Sequence, residues 1–143
     1  MLTVQDLMMG DWVRITIGGH RYPAYVNFLK YYTEEIGVAY LAAPGDWEDG
    51  DGYDDIEPIP LTPEILELNG FKGTAGRTVW EMEIDKKYIN IWGTHALSFS
   101  MNIPYLLGYK WIIQDLPINY VHELQHLLRQ CGFTELANDF KVE

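Results

Sequence analysis

The chain holds a single cysteine, only ten lysines and arginines against 21 acids, and no apolar run long enough to cross a bilayer. Each shortage excludes something. One thiol, Cys131, closes no intramolecular disulfide, so a reducing compartment is expected, with Cys131 as core filling on the apolar face of a helix. The longest apolar stretch, Val38 to Pro44, is far short of a membrane span. The opening residues, MLTVQDLMMGDW, lack a basic segment ahead of their apolar positions and carry Asp6 and Asp11, so no secretion signal is expected. A cytoplasmic protein with no membrane association is the resulting expectation. Basic residues are scattered, with Lys86-Lys87 the only adjacent pair, and the formal net charge is −11. Nucleic-acid binding draws its affinity from cations that neutralise phosphates, so a nucleic-acid partner is not expected. A Gly-rich phosphate loop, a nucleophile elbow and paired metal-binding cysteines are also missing.

What is present is globular. With 143 residues, 48% hydrophobic and 22% charged, the chain has the size and composition of one domain with a packed core. The clearest local signal is WVRITI-GG-HRYPAYV, two alternating runs around Gly18-Gly19, a pair suited to the positive φ angles of a two-residue hairpin turn. Val13, Ile15 and Ile17 fall on one face of the first strand and Ala24, Val26 and Phe28 on one face of the second. Pro23 places its strand at an edge or a bulge, and a third strand is predicted near Val38 to Ala42. Residues 44–55, PGDWEDGDGYDD, read as an acidic loop, followed by a short extended segment from Ile56 to Leu61. Thr62, Pro63 and Glu64 together spell a helix start, and Asn69-Gly70 followed by Phe71 spells its stop. A second hairpin turns near Asp85 to Lys87. Alternation from His95 to Met101 predicts a half-buried strand, and Tyr105 to Gln114 a further one.

A final helix runs from about Asn119 to Gln130, with Tyr120, Val121, Leu124, Leu127, Leu128 and Cys131 forming its apolar stripe. The expected class is α+β. A small antiparallel sheet or barrel fills residues 1–61, a linking helix follows over 62–70, and the lobe 71–143 holds a second antiparallel sheet packed by the C-terminal helix.

That helix carries His122-Glu123-Leu124-Gln125-His126, a literal H-E-x-x-H. In this pattern two histidines one turn apart hold zinc and the glutamate acts as base on the metal-bound water. Three features weigh against it. The histidines lie opposite the apolar stripe, on a face read as solvated. The only acids downstream are Glu135, Asp139 and Glu143, and nothing places His20 or His95 nearby. Arg129 adds a cation to the same face. No metal and no cofactor is therefore expected, and a zinc-dependent hydrolase using His122, Glu123 and His126 is the alternative. In the acidic loop, Asp49, Asp51 and Gly52 overlay part of a calcium loop whose frame fails at Trp47 and Pro58. Trp47 and Tyr53, large aromatics in that loop, are candidate interaction residues together with His122 and Gln125.

Three blocks look familiar: LMMGDWV at residues 7–13, IEPIPLTPEILELNGF at 56–71 and INYVHELQHLLRQCG at 118–132. As a set they resemble an uncharacterised family of small proteins of Bacteroides-type gut bacteria and their phages and mobile elements. The resemblance implies a β-rich start, the Pro-capped helix and the terminal helix, in that order. It also implies that Glu123 and His126 are not general to the family, and that Tyr120, His122, Leu124 and Gln125 mark where the helix meets the N-terminal lobe. The expected function is a non-enzymatic accessory or interaction protein of a phage or mobile element, with a protein as partner. An acidic nucleic-acid mimic is a further alternative, weakened because the acids from Asp46 to Glu57 crowd into one loop.

Overall fold

A computed structural model describes the chain apart from residues 1, 31, 33, 44, 45, 50–52, 75, 77 and 95, and apart from the side chains of residues 41–43, 46, 47 and 49. It is an α+β protein with two antiparallel sheets of five strands each and a C-terminal helix. The chain divides into two compact units, the first made of Met1–Pro60 and Tyr120–Val142, the second of Leu61–Asn119.

In the first unit, strands β1 (Trp12–Ile17), β2 (His20–Lys30), β3 (Glu35–Ala43), β4 (Asp46–Asp49) and β5 (Asp55–Pro58) are ordered β4-β3-β2-β1-β5. Gly18 and Gly19 take φ of +57° and +83°. These are the values that let a two-residue turn follow the twist of its strands, and the turn sets a register from Trp12 opposite Tyr25 to Ile17 opposite His20. Val13, Ile15, Ala24, Val26, Val38, Ile56 and Leu7 form the core of the unit. Each fully buried aliphatic side chain there contributes about 1.5–3 kcal/mol. Phe28 does not continue the face of Val26. A register shift between the two turns it outward, and it is exposed. β2 is the central strand of the sheet rather than an edge; at Pro23 it pairs only with β1, through Arg14, and the β2–β3 register starts one residue later, at Ala24. The predicted acidic loop contains β4, which pairs with β3. Acids and turn residues hide this strand, which long-range pairing creates. Asp51 and Gly52 of the calcium frame lie outside the described residues.

Two helices complete this unit: α2 (Val121–Gln130) and α3 (Thr134–Asn138). The expectation that the terminal helix packs on the second sheet is corrected, because α2 belongs to the first unit, where its neighbours are β1 and α3. Two neighbouring pairings close the chain path at the junction. Pro60 bridges Tyr120, and the Val121 N–H donates to the Ile59 carbonyl at 2.9 Å. The ends of the second unit are joined in the same manner, with the Leu61 N–H donating to the Asn119 carbonyl at 2.9 Å.

The second unit starts with α1 (Pro63–Leu68), capped as its sequence predicts. The Thr62 hydroxyl accepts from the Ile65 N–H at 3.3 Å, Gly70 takes φ +90°, and Phe71 is buried with its N–H donating to the Leu66 carbonyl. Strands β6 (Lys72–Gly73), β7 (Val79–Ile84), β8 (Lys87–Trp92), β9 (Leu97–Tyr105) and β10 (Gly108–Ile118) follow in the order β10-β9-β8-β7-β6. Trp80, Ile89, Ile91, Phe99 and Met101 are buried. Ser100, on the face opposite Phe99, is buried as well, and its hydroxyl accepts the Asp115 N–H at 3.0 Å. Among the described residues no helix is long and apolar enough to cross a membrane.

Candidate functional site

The H-E-x-x-H helix is held at its start by its own glutamate. A Glu123 carboxylate oxygen accepts the Tyr120 N–H at 3.0 Å, satisfying a backbone donor that the helix leaves unpaired. Val121, Leu124, Leu127 and Leu128 supply the apolar stripe, and all four are buried.

The opposite side of the helix is only partly solvated. His122 is 6% exposed and Gln125 is fully buried, because the N-terminal segment lies over this face: an open groove of about 610 Å³ has Leu7, Met8 and Asp6 on one side and His122, Glu123 and His126 on the other. This corrects the helical-wheel expectation, which had no knowledge of a covering segment more than a hundred residues away in sequence.

Gln125, His126 and Arg129 join α2 to the segment. Gln125 uses its whole amide: its oxygen accepts the Trp12 N–H at 2.9 Å, and its nitrogen donates to the carbonyls of Gly10 and Ala137 at 3.0 and 2.9 Å. The donor and acceptors around it fix which end of the amide is oxygen. Trp12 is held again through its indole N–H, which donates to the Phe140 carbonyl at 2.6 Å. Asp11, with no exposed side-chain surface, accepts the Arg129 guanidinium at 2.6 Å through one oxygen. Its other oxygen takes the Met8 N–H at 2.7 Å and lies 2.6 Å from His126 Nε2. Gly10 makes the approach possible. Its φ is +87°, and a Cβ there would lie 3.0 Å from Arg129 Nη2.

His122 stands apart. Its ring stacks on Tyr120 with 5.9 Å between centroids and meets the His126 ring edge-on at 5.6 Å. Its Nδ1 is buried without a hydrogen-bond partner. Burial pushes its pKa below the usual histidine value, reinforced by His126 and opposed by the charges of Asp11, Glu123 and Asp6.

The motif residues meet along one groove of the first unit. The Glu123 carboxylate caps its own helix through one oxygen and also lines the groove. One histidine is engaged by Asp11, and among the described residues no three His, Cys, Asp or Glu side chains are grouped to hold a metal. His20 sits on the first hairpin opposite Ile17, and His95 lies outside the described residues.

Of the interaction candidates, Gln125 and His122 are buried rather than displayed, a correction with the physical cause given above. Tyr53 is half-buried against the core of its own unit, and its hydroxyl donates to the Ile36 carbonyl at 3.1 Å. Trp47 pairs through its backbone with Leu41, and its side chain lies outside the described set.

Sequence reasoning missed Asp11 as the centre of this arrangement. Its signal was its place in LMMGDWV. Asp11 meets His126 and Arg129, while Pro58 lines the groove beside His122 and Ile59 accepts the Val121 N–H. Compared with known proteins, the chain has no significant match to a family model, a curated protein or a solved structure.

Proposed function

We propose that this chain is a non-enzymatic protein-interaction module, in keeping with an accessory role in a phage or mobile element, and that it docks its partner through the β9–β10 hairpin. The observation that carries this reading is the hairpin's surface. Leu106 and Leu107 at the tip are 89% and 106% exposed, and Tyr109, Trp111, Ile112 and Leu116 along β10 are exposed as well. Isolated apolar residues on a surface are ordinary, but this many on one hairpin support an interaction site. β10 is also an edge strand, with backbone donors and acceptors available to an added strand. The engagement of Glu123, Gln125 and His126 in holding α2 supports the non-enzymatic half of the proposal.

Affinity capture from the cells that make the protein tests both halves when run beside metal analysis of protein purified without chelator or His-tag. The expected result is a specific partner that Leu107→Asp with Ile112→Asp loses and His126→Ala keeps. Zinc near one equivalent, lost in His126→Ala, would overturn the reading in favour of the hydrolase.

A further inference from the structure

We infer that the occupant of the β9–β10 hairpin is a second copy of this chain, the two β10 strands meeting antiparallel about a two-fold axis; this rests on the reading above that the hairpin is a docking surface. Three observations select this occupant.

The first is the shape of the apolar display. In the register of β9 and β10, Trp111 stands opposite Asn102 and Leu116 opposite Phe99, so the exposed residues of β10 fall on both faces of the sheet. On one face Trp111 shares a groove with Trp92, and Tyr109 meets Tyr88 edge-on at 5.3 Å between ring centroids. A flat partner covers one face. A strand that continues the sheet covers both and pairs the open backbone edge. A bilayer would cover the side chains but leave that edge unpaired in hydrocarbon.

The second is charge. Residues 86–114 hold three lysines and no acid, the longest acid-free stretch in a chain of net charge −11. Two of those lysines, Lys86 and Lys87, lie at the β7–β8 turn, and the hairpin itself, with Lys110 and Asp115, is neutral. A neutral hairpin brings two like-charged chains together without adding repulsion of its own.

The third is self-complementarity. A two-fold contact must present one patch to itself. Along β10 the cation Lys110 precedes the anion Asp115, with Trp111, Ile112, Ile113 and Gln114 between them. Antiparallel pairing sets the Lys110 end of each strand toward the Asp115 end of the other and the apolar centre against itself. The tip fits the same account. Leu106 holds φ +47°, a conformation unfavourable for a leucine, while exposing its side chain.

Sedimentation velocity on the full chain, over about a hundredfold range of concentration, tests this directly. The expected result is a monomer–dimer equilibrium. Added salt should tighten it, because the bulk of each chain repels the other and the contact itself is mainly apolar. Ile112→Asp with Leu107→Asp should be monomeric throughout while keeping the wild-type circular dichroism spectrum. Lys110→Glu, which sets two acids at each end of the contact, should weaken the dimer about tenfold. A wild-type chain that stays monomeric at every concentration and salt overturns the inference, as does a dimer that survives the double substitution. If that monomer still captures a different protein through the same residues, the occupant is wrong but the docking surface stands.

Discussion

The two units treat polar and apolar residues in opposite ways. At α2 in the first unit, Asp11, His122 and Gln125 lie inside, whereas on the β9–β10 hairpin in the second, Leu107, Trp111 and Ile112 lie outside. Burial of a polar group is costly only where its partners are missing. The Gln125 amide and the Asp11 carboxylate are surrounded by partners, so they act as anchors that give the N-terminal segment one position. Exposed apolar surface has no comparable remedy within the chain, so the hairpin is the place to look for what the protein contacts, and α2 for what keeps it folded.

If this contrast is right, substitutions at the anchor should cost stability and leave association alone, and those on the hairpin should do the reverse. The largest effect is expected for Asp11→Ala, which leaves the Arg129 guanidinium buried beside His126 without its carboxylate. A loss of about 3–5 kcal/mol is expected in urea denaturation followed by tryptophan fluorescence. Gln125→Leu keeps the volume but strands the Trp12 N–H and two carbonyls, and should cost about 3 kcal/mol by the same measurement. An unchanged midpoint in either variant would mean that the anchor is ornamental. Glu123→Ala should cost only about 1 kcal/mol, the value of a helix-start contact. A loss far above that would point to a further role for this carboxylate.

His122 gives the anchor a pH dependence. Its pKa is lowered in the folded chain from an ordinary value of 6.5, so the unfolded state binds its proton first on acidification. Stability should then fall as pH drops through the window below 6.5 and level off beneath the lowered folded value. Between about pH 7.5 and about pH 5.5, His122→Phe should show a shallower loss than wild type. Parallel curves would assign the dependence to another group. The smallest effect on folding is expected for Leu107→Asp at the hairpin tip, within about 0.5 kcal/mol. A large loss there would mean that the tip is packed within the protein, ending the contrast between the regions.

Features built from neighbouring residues were legible in advance. Gly18-Gly19 dictates its hairpin, Thr62-Pro63 starts α1 and Asn69-Gly70 stops it, because each acts through its own backbone or one a few residues away. The class and the two sheets follow from alternation. What escaped prediction depends on distant partners or on irregularity. β4 exists through its pairing with β3, Phe28 is turned outward by a bulge, and α3 has five residues, too few to display a period. The site was half legible. The motif and the helix phase could be read, but a helical wheel cannot know that residues 2–11 cover its polar face, nor that an aspartate 115 positions before His126 meets it.

The paired residues at the junction bear on how such a chain can change. Leu61 and Asn119 hold the two ends of the second unit side by side, while Ile59 with Val121 and Pro60 with Tyr120 close the first unit next to them. The second unit is thus an insertion with adjacent entry and exit points. Its excision would leave a gap that a tight turn could bridge, and a different insert could enter at the same seam. The exposed hairpin lies within the insert and the buried anchor within the host.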